Sequence, residues 1–135
     1  MSVQDQQALE LAKEAMSKAY APYSGFQVGA AILTKSGKLY SGCNVENASY
    51  PEGTCAEAGA IAAMVRDGAT AIEEIYVMGA GEQLVTPCGG CRQRIREFAA
   101  QDTQIHICDP NGVRKTVTME DLLPISFGPE NLNRS

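Results

Sequence analysis

Between Gln4 and Tyr20 the apolar positions Leu9, Leu11, Ala12, Ala15, Met16 and Ala19 recur at helical spacing, which predicts an amphipathic helix ended by Pro22. Phe26 to Thr34 (FQVGAAILT) then reads as a strand, Ser36-Gly37 as a turn, and Lys38 to Cys43 as the returning strand of a hairpin. Asn44 to Gly53 is a loop rich in turn formers. Cys55 to Asp67 is Ala-rich and reads as a buried helix, with Thr54 as its N-cap and Gly68 just past its end. Ile75 to Gly79 is a short apolar run, hence a core strand, and a loop from Gly79 to Pro87 leads into a helix over Gly89 to Ala100. Gln104 to Cys108 and Val113 to Val117 read as strands around the Asp109 to Gly112 turn, followed by a short helix at Met119 to Leu123 and a tail. Strands alternating with helices predict a layered α/β domain with a mixed sheet flanked by helices. No repeat, linker or low-complexity stretch interrupts it.

The 135 residues are read as one domain, large enough for its own core. A net charge of -5 argues against a nucleic-acid partner, because such surfaces usually carry a basic stripe. The one basic cluster, Arg92, Arg94 and Arg96, falls in a helix beside a cysteine motif and reads as a solvated or anion-pairing face. No apolar run has the length of a membrane span, so no membrane partner is expected. The N-terminal MSVQDQQALE lacks the basic-then-apolar pattern of a secretory signal, and a cytoplasmic location is the expectation. Five cysteines in such a chain point to metal or catalytic use before disulfides.

Two segments carry the chemistry. One is Thr54-Cys55-Ala56-Glu57 and the other Pro87-Cys88-Gly89-Gly90-Cys91, each at a predicted helix start. A Cys-x-x-Cys at a helix start aims two thiols at one point, and the unpaired N–H groups and macrodipole there favour thiolates. Alone, that pair equally suits a redox couple, but a third cysteine beside a glutamate would then be unexplained. Three protein ligands and an open fourth position are the arrangement of a catalytic zinc. Cys-x-Glu upstream of Pro-Cys-x-x-Cys, with three cysteines as ligands, is moreover the signature described for zinc nucleobase deaminases.

On these motifs, on Pro22-Tyr23-Ser24-Gly25-Phe26 leading into Val28-Gly29-Ala30, and on Asn44-Val45-Glu46-Asn47-Ala48-Ser49-Tyr50, the sequence resembles the small homotetrameric cytidine deaminases with three cysteine ligands. The resemblance runs over nearly the whole chain. It implies a three-layer α/β/α sandwich around a mixed five-stranded sheet, and one catalytic domain over residues 1–135. It implies one Zn2+ per subunit on Cys55, Cys88 and Cys91, with Glu57 as the general acid and base. Asn44 and Glu46 would bind the ribose hydroxyls, Phe26 would pack on the base, and the Ala56 backbone would lie close to the pyrimidine. Tyr50 and Phe127 would come from neighbouring subunits, completing shared sites. The implied reaction is hydrolytic deamination of cytidine and deoxycytidine in pyrimidine salvage.

One position departs from the family pattern. Where relatives carry an arginine after the catalytic glutamate, hydrogen-bonded to a ligand thiolate, this chain has Ala58. Three thiolates on a dication leave a net negative cluster, so some group should drain charge from the sulfurs. The candidates are the two helix N-termini and Arg92, which follows Cys91, and the expectation is that Arg92 alone does so. Other readings stay open at this level. The zinc is structural if Cys43, Cys108 or His106 supplies a fourth ligand, although Cys43 and Cys108 read as small buried strand residues and His106 as part of an apolar strand. Glu46 is equally a turn cap and Asn44 a loop brace. Another aminopyrimidine, a nucleoside antibiotic or a nucleic acid as substrate fits less well than a nucleoside.

Overall fold

A computed structural model describes residues 2–132; the last three residues of the segment read as tail lie outside it. Helix α1 (Val3–Ser17) is followed by strands β1 (Val28–Thr34) and β2 (Leu39–Cys43), helix α2 (Ala56–Arg66), strand β3 (Ile72–Gly79) and helix α3 (Gly89–Phe98). Strands β4 (Gln104–Asp109) and β5 (Gly112–Thr118) and the short helix α4 (Met119–Leu122) follow, with single 3-10 turns at Tyr50–Glu52 before α2 and Pro129–Leu132 after α4. The strands form one sheet in the order β2-β1-β3-β4-β5, antiparallel except for the β3–β4 pair. The parallel pair requires a crossover, and α3 provides it.

The central strands β1, β3 and β4 are largely buried on both faces, so they alternate between two cores, whereas β2 is half-buried and β5 is half-buried to exposed. Ala30, Ile32, Ile75, Val77, Ile105 and Ile107 face α2 and α3, whereas Ala31, Tyr76, Met78 and Cys108 face α1. The three-layer α/β/α sandwich around five mixed strands is therefore present as expected. Helix α1 seats itself differently from its apparent stripe. Its buried centre is Ala8, Ala12 and Ala15, with Leu9, Leu11 and Met16 only flanking. The small residues are needed because the helix backbone approaches Gly29 of β1 so closely that a Cβ there would lie 2.2 Å from the Ala12 carbonyl oxygen.

Strands β2 and β3 are each antiparallel to β1 and so run the same way, which puts their C-terminal ends at one sheet edge. Helices α2 and α3 follow those two strands, so both helices begin at that edge, where the chain from strand to helix builds a crevice. Gly42 of β2 lets α2 lie directly on the strand: a Cβ would meet Ala56 O and Ala60 N, each at 2.4 Å. The helix carrying Glu57 is thus set against the sheet by backbone contact.

Candidate metal centre and cleft

Cys55 and Cys88 are the N-cap residues of α2 and α3, both extended and neither making a side-chain cap hydrogen bond. This corrects the reading of Thr54 as N-cap; Thr54 instead exchanges backbone hydrogen bonds with Val45. An N-cap side chain normally turns a hydroxyl or carboxylate oxygen toward the free N–H groups of the first turn. Here a sulfur occupies that place on each helix, and Cys91 adds a third from the N3 position of α3. The three Sγ atoms lie within 4.8 Å of one another, with Cys55 Sγ 3.7 Å from Cys88 Sγ.

An ion held at about 2.3 Å from each sulfur in tetrahedral geometry separates them by roughly 3.8 Å, so the spacing fits zinc. Among the described residues no fourth cysteine, histidine or carboxylate ligand joins the cluster. His106 is occupied elsewhere, with Nε2 2.6 Å from Glu74 Oε1 and Nδ1 2.8 Å from Thr116 Oγ1. Cys108 faces the α1 side and donates to His106 O at 3.4 Å. Cys43 is in a strand as expected but only half-buried, not fully enclosed.

The electrostatics of the trio suit a cation. Burial pushes the Cys55 and Cys91 thiols up, while the Cys91 backbone N–H pulls Cys88 down. A bound dication supplies what the two raised thiols lack. Glu57 at N2 of α2 is 4% exposed, and its burial pushes the carboxyl up against the pull of its own backbone N–H, the Cys91 thiol and the Arg94 charge. A carboxyl shifted this way holds or gives up a proton nearer neutrality.

A cleft of about 380 Å³ opens above, lined by Phe26, Asn44, Glu46, Ala56 and Glu57 together with Cys55 and Cys88. Val28, Val45, Gly53, Thr54, Val85 and Thr86 complete its wall. None of these six was singled out as a site residue from the sequence, although Val28, Val45 and Thr54 stand within the motifs quoted for the resemblance and the zinc. Phe26 is 46% exposed, a ring half open to the cleft. Tyr50 lies in the adjoining recess with Glu46, Tyr23 and Asn47, and its ring meets Tyr23 edge-on at 6.0 Å. Phe127 does not line either space; it is exposed, and its carbonyl accepts from Gln93 Nε2 at 2.9 Å.

Asn44 and Glu46 are also braces. Asn44 Oδ1 accepts from Val28 N and its Nδ2 donates to Phe26 O, both at 2.8 Å. Glu46 accepts from Tyr23 N, from Ser24 N and from the Ser24 hydroxyl, whose bond leads in holding the carboxyl below its ordinary range. These bonds pin residues 23–28 to the loop after β2. Each side chain keeps one or more unused donor or acceptor positions.

The basic cluster is not a solvated face throughout. Arg96 is buried and pairs with Glu130. Arg92 spends its guanidinium on Pro87 O at 2.8 Å, Leu122 O at 3.0 Å and Thr86 Oγ1 at 3.3 Å. It makes no hydrogen bond to a sulfur, which corrects the expectation that Arg92 alone touches the thiolates. The residue that does is Arg94, whose Nη1 lies 3.5 Å from Cys91 Sγ. The physical reason is helix geometry: position i+3 stacks over Cys91, whereas i+1 points round the helix toward the preceding loop.

Three sulfurs spaced for one ion, an open position facing a cleft and a buried carboxyl outside the ligand set define a catalytic-zinc protein. The chain belongs to the cytidine and deoxycytidylate deaminase zinc-binding family, whose model matches residues 2–107, and it is a zinc-dependent hydrolytic deaminase. It is 40% identical over 121 residues to the cytidine deaminase of Sporosarcina psychrophila, covering 90% of this chain and 89% of that one. It is 38% identical over 128 residues to that of Halalkalibacterium halodurans, with 95% and 97% covered. The crystal structure of the Burkholderia pseudomallei cytidine deaminase matches with a TM-score of 0.86 at 39% identity, over 94% of this chain and 100% of that chain. The Mycobacterium tuberculosis cytidine deaminase structure matches at 0.79 with 35% identity, over 94% and 99%.

Proposed function

We propose that this chain hydrolyses the C4 amino group of cytidine and deoxycytidine, releasing ammonia and leaving uridine or deoxyuridine. The observation that carries the reading is Glu57, a buried carboxyl beside the three-sulfur cluster at the base of a cleft rimmed by Phe26, Asn44 and Glu46. Cys55, Cys88 and Cys91 would hold the zinc, which would supply Lewis-acid activation of water at neutral pH. Glu57 moves the protons: its carboxylate takes one from the water and passes it to ring N3. It then takes the proton of the new C4 hydroxyl and gives it to the departing amine. The ring nitrogen keeps its proton in the product, so the balance is one water in and one ammonia out.

The chain's other residues bind and orient. Phe26 offers its half-open ring to the pyrimidine, and the Ala56 backbone borders the same space. The unused hydrogen-bonding positions of Asn44 and Glu46 take the ribose hydroxyls, and a site built this way rejects a base without its sugar. Tyr50 and Phe127 are exposed and lie outside this chain's own cleft, which supports their delivery to neighbouring subunits in a homotetramer with shared sites. Residues 1–135 act as one catalytic domain, in the cytoplasm, serving pyrimidine salvage. Among the described residues no helix is long and apolar enough to cross a membrane.

An ultraviolet assay with cytidine, cytosine and CMP, run beside Glu57→Gln and a zinc determination, tests the reading. Turnover of cytidine, with zinc kept and turnover lost in Glu57→Gln, is the expected result. Equal turnover of free cytosine refutes the ribose contacts, and full activity of Glu57→Gln refutes its proton role.

A further inference from the structure

We infer that Arg94 is the positioning residue that balances the charge of the zinc–thiolate cluster, through a direct hydrogen bond to Cys91 Sγ. The inference rests on the reading of Cys55, Cys88 and Cys91 as the zinc ligands.

Three thiolates around a dication carry a net charge of -1, and the sulfur farthest from water has the least help in bearing it. That sulfur is Cys91, which is 0% exposed, while Cys55 and Cys88 are more open. Cys88 in addition receives the Cys91 backbone N–H. Cys91 receives the Arg94 guanidinium, with Nη1 at 3.5 Å from Sγ, a distance suited to an N–H···S bond. A guanidinium contributes a charge as well as a donor.

The surroundings are arranged for this contact. Arg94 stands one turn after Cys91 and Gly90 on α3, and helical side chains lean back toward the N-terminus, over the preceding turn. Gly90 leaves the space: a Cβ there would meet Arg94 Nη1 at 3.1 Å. Among the described residues no carboxylate pairs with Arg94, so its charge is not neutralised by an ion pair. Arg92, the adjacent candidate, has its donors on the carbonyls of Pro87 and Leu122. The residue after Glu57 is Ala58, which has no charge to offer. Arg92 therefore shapes the loop entering Cys88, and Arg94 serves the metal cluster.

The test uses the full chain loaded with Co(II) in place of zinc, read by its thiolate-to-cobalt absorption and by metal competition against a chelator. Arg94→Met removes both donor and charge; Arg94→Lys keeps the charge. With Arg94→Met the charge-transfer band moves to lower energy, because the sulfur becomes more electron-rich, and apparent metal affinity at neutral pH falls about 10–100-fold. Arg94→Lys recovers most of the affinity. Gly90→Ala, which crowds the guanidinium without touching its charge, shifts the band in the same direction by less. An unshifted band and unchanged affinity in Arg94→Met overturn the inference. A wild-type chain that shows no thiolate-to-cobalt band at all overturns the ligand assignment itself, a distinguishable failure.

Discussion

Alanine at Gly42 measures how rigidly the helix bearing Glu57 is held against the sheet. Its added Cβ would stand 2.4 Å from both Ala56 O and Ala60 N and 2.8 Å from Gly59 C, all backbone atoms of α2. No side chain can swing aside, so the helix itself must retreat toward an ordinary contact distance of about 3.5 Å, a shift of roughly 1 Å. Overpacking of this kind costs about 1–3 kcal/mol. For a chain of this size, between the two benchmark ranges, that lowers the melting temperature by roughly 4–12 °C. The same retreat moves Glu57 and Cys55, and a misplacement of about 1 Å lowers kcat/KM on the order of 100-fold.

Gly59 sits across the same contact and provides the control. A Cβ there meets Gly42 Cα at 3.6 Å and Cys43 O at 3.8 Å, which is ordinary packing. Replacing a helical glycine by alanine then gains about 0.5–1 kcal/mol, so Gly59→Ala melts a few degrees higher. Calorimetry of both variants, with cytidine turnover and zinc content on the same samples, decides the matter. A Gly42→Ala protein with wild-type melting and turnover refutes the close approach. Destabilisation of equal size at both glycines refutes the assignment of the strain to one side of the contact.

Two further outcomes follow from particular contacts. The Tyr76 hydroxyl donates to Asp5 Oδ1 at 2.5 Å and is the main reason the Asp5 carboxyl is held down at about 2, from an ordinary value near 3.8. A depressed carboxyl stabilises fully above its unfolded value and loses that contribution as pH falls toward 2; Tyr76→Phe should therefore cost about 1–2 kcal/mol in urea titrations at pH 6, with the gap shrinking at pH 2, and an unchanged gap would exclude the linkage. Arg96, 7% exposed at its side chain, holds the C-terminal segment through Glu130 Oε1 at 2.6 Å and Ser126 Oγ at 2.9 Å. Arg96→Met keeps the packed stem but frees that segment, so limited proteolysis should cut within residues 126–132 several-fold faster than in the wild type; equal rates would show that the ion pair does not hold it.

The elements were legible where one pattern dominated. Short apolar runs located β1, β3 and β4, whose faces are filled by Ile, Val, Ala and Met, while β2 and β5, half-buried or exposed, were located beside the Ser36-Gly37 and Asp109 to Gly112 turns. The order β2-β1-β3-β4-β5 was not legible, since pairing is a long-range outcome that no local window contains. At α1 the stripe read from the sequence held Ala12 and Ala15 among larger residues but not Ala8, and the small residues mark the contact because Gly29 of β1 lies against the helix backbone. The cysteine motifs and Glu57 stood out through spacing alone. Arg94 did not, although it sits three positions after Cys91. An arginine on a helix is ordinarily a surface residue, and only the fold shows a sulfur beneath it. Asn44 and Glu46 were ambiguous between brace and ligand contact, and the backbone bonds they make explain why: the residues suited to hold a loop have spare capacity toward the cleft.

Two motifs whose thiols stand 33 positions apart can form one centre only because β2 and β3 point the same way without being neighbours. That common direction brings two helix starts to one sheet edge, and each start presents N–H groups without helical partners. Cysteine at both N-caps gives up the usual oxygen cap and leaves those groups for a negative sulfur. The loops between strand and helix are then free to build the cleft. Asn44, Glu46 and Arg92 tie those loops to backbone partners and fix their shape, so that the sulfurs and the Glu57 carboxyl meet the cleft beside Phe26 and the spare hydrogen-bonding positions of Asn44 and Glu46. The seating of α2 and α3 on the sheet is thus part of the site. A glycine contact at Gly42 or an arginine at position 94 bears on the metal centre as directly as residues that line the cleft.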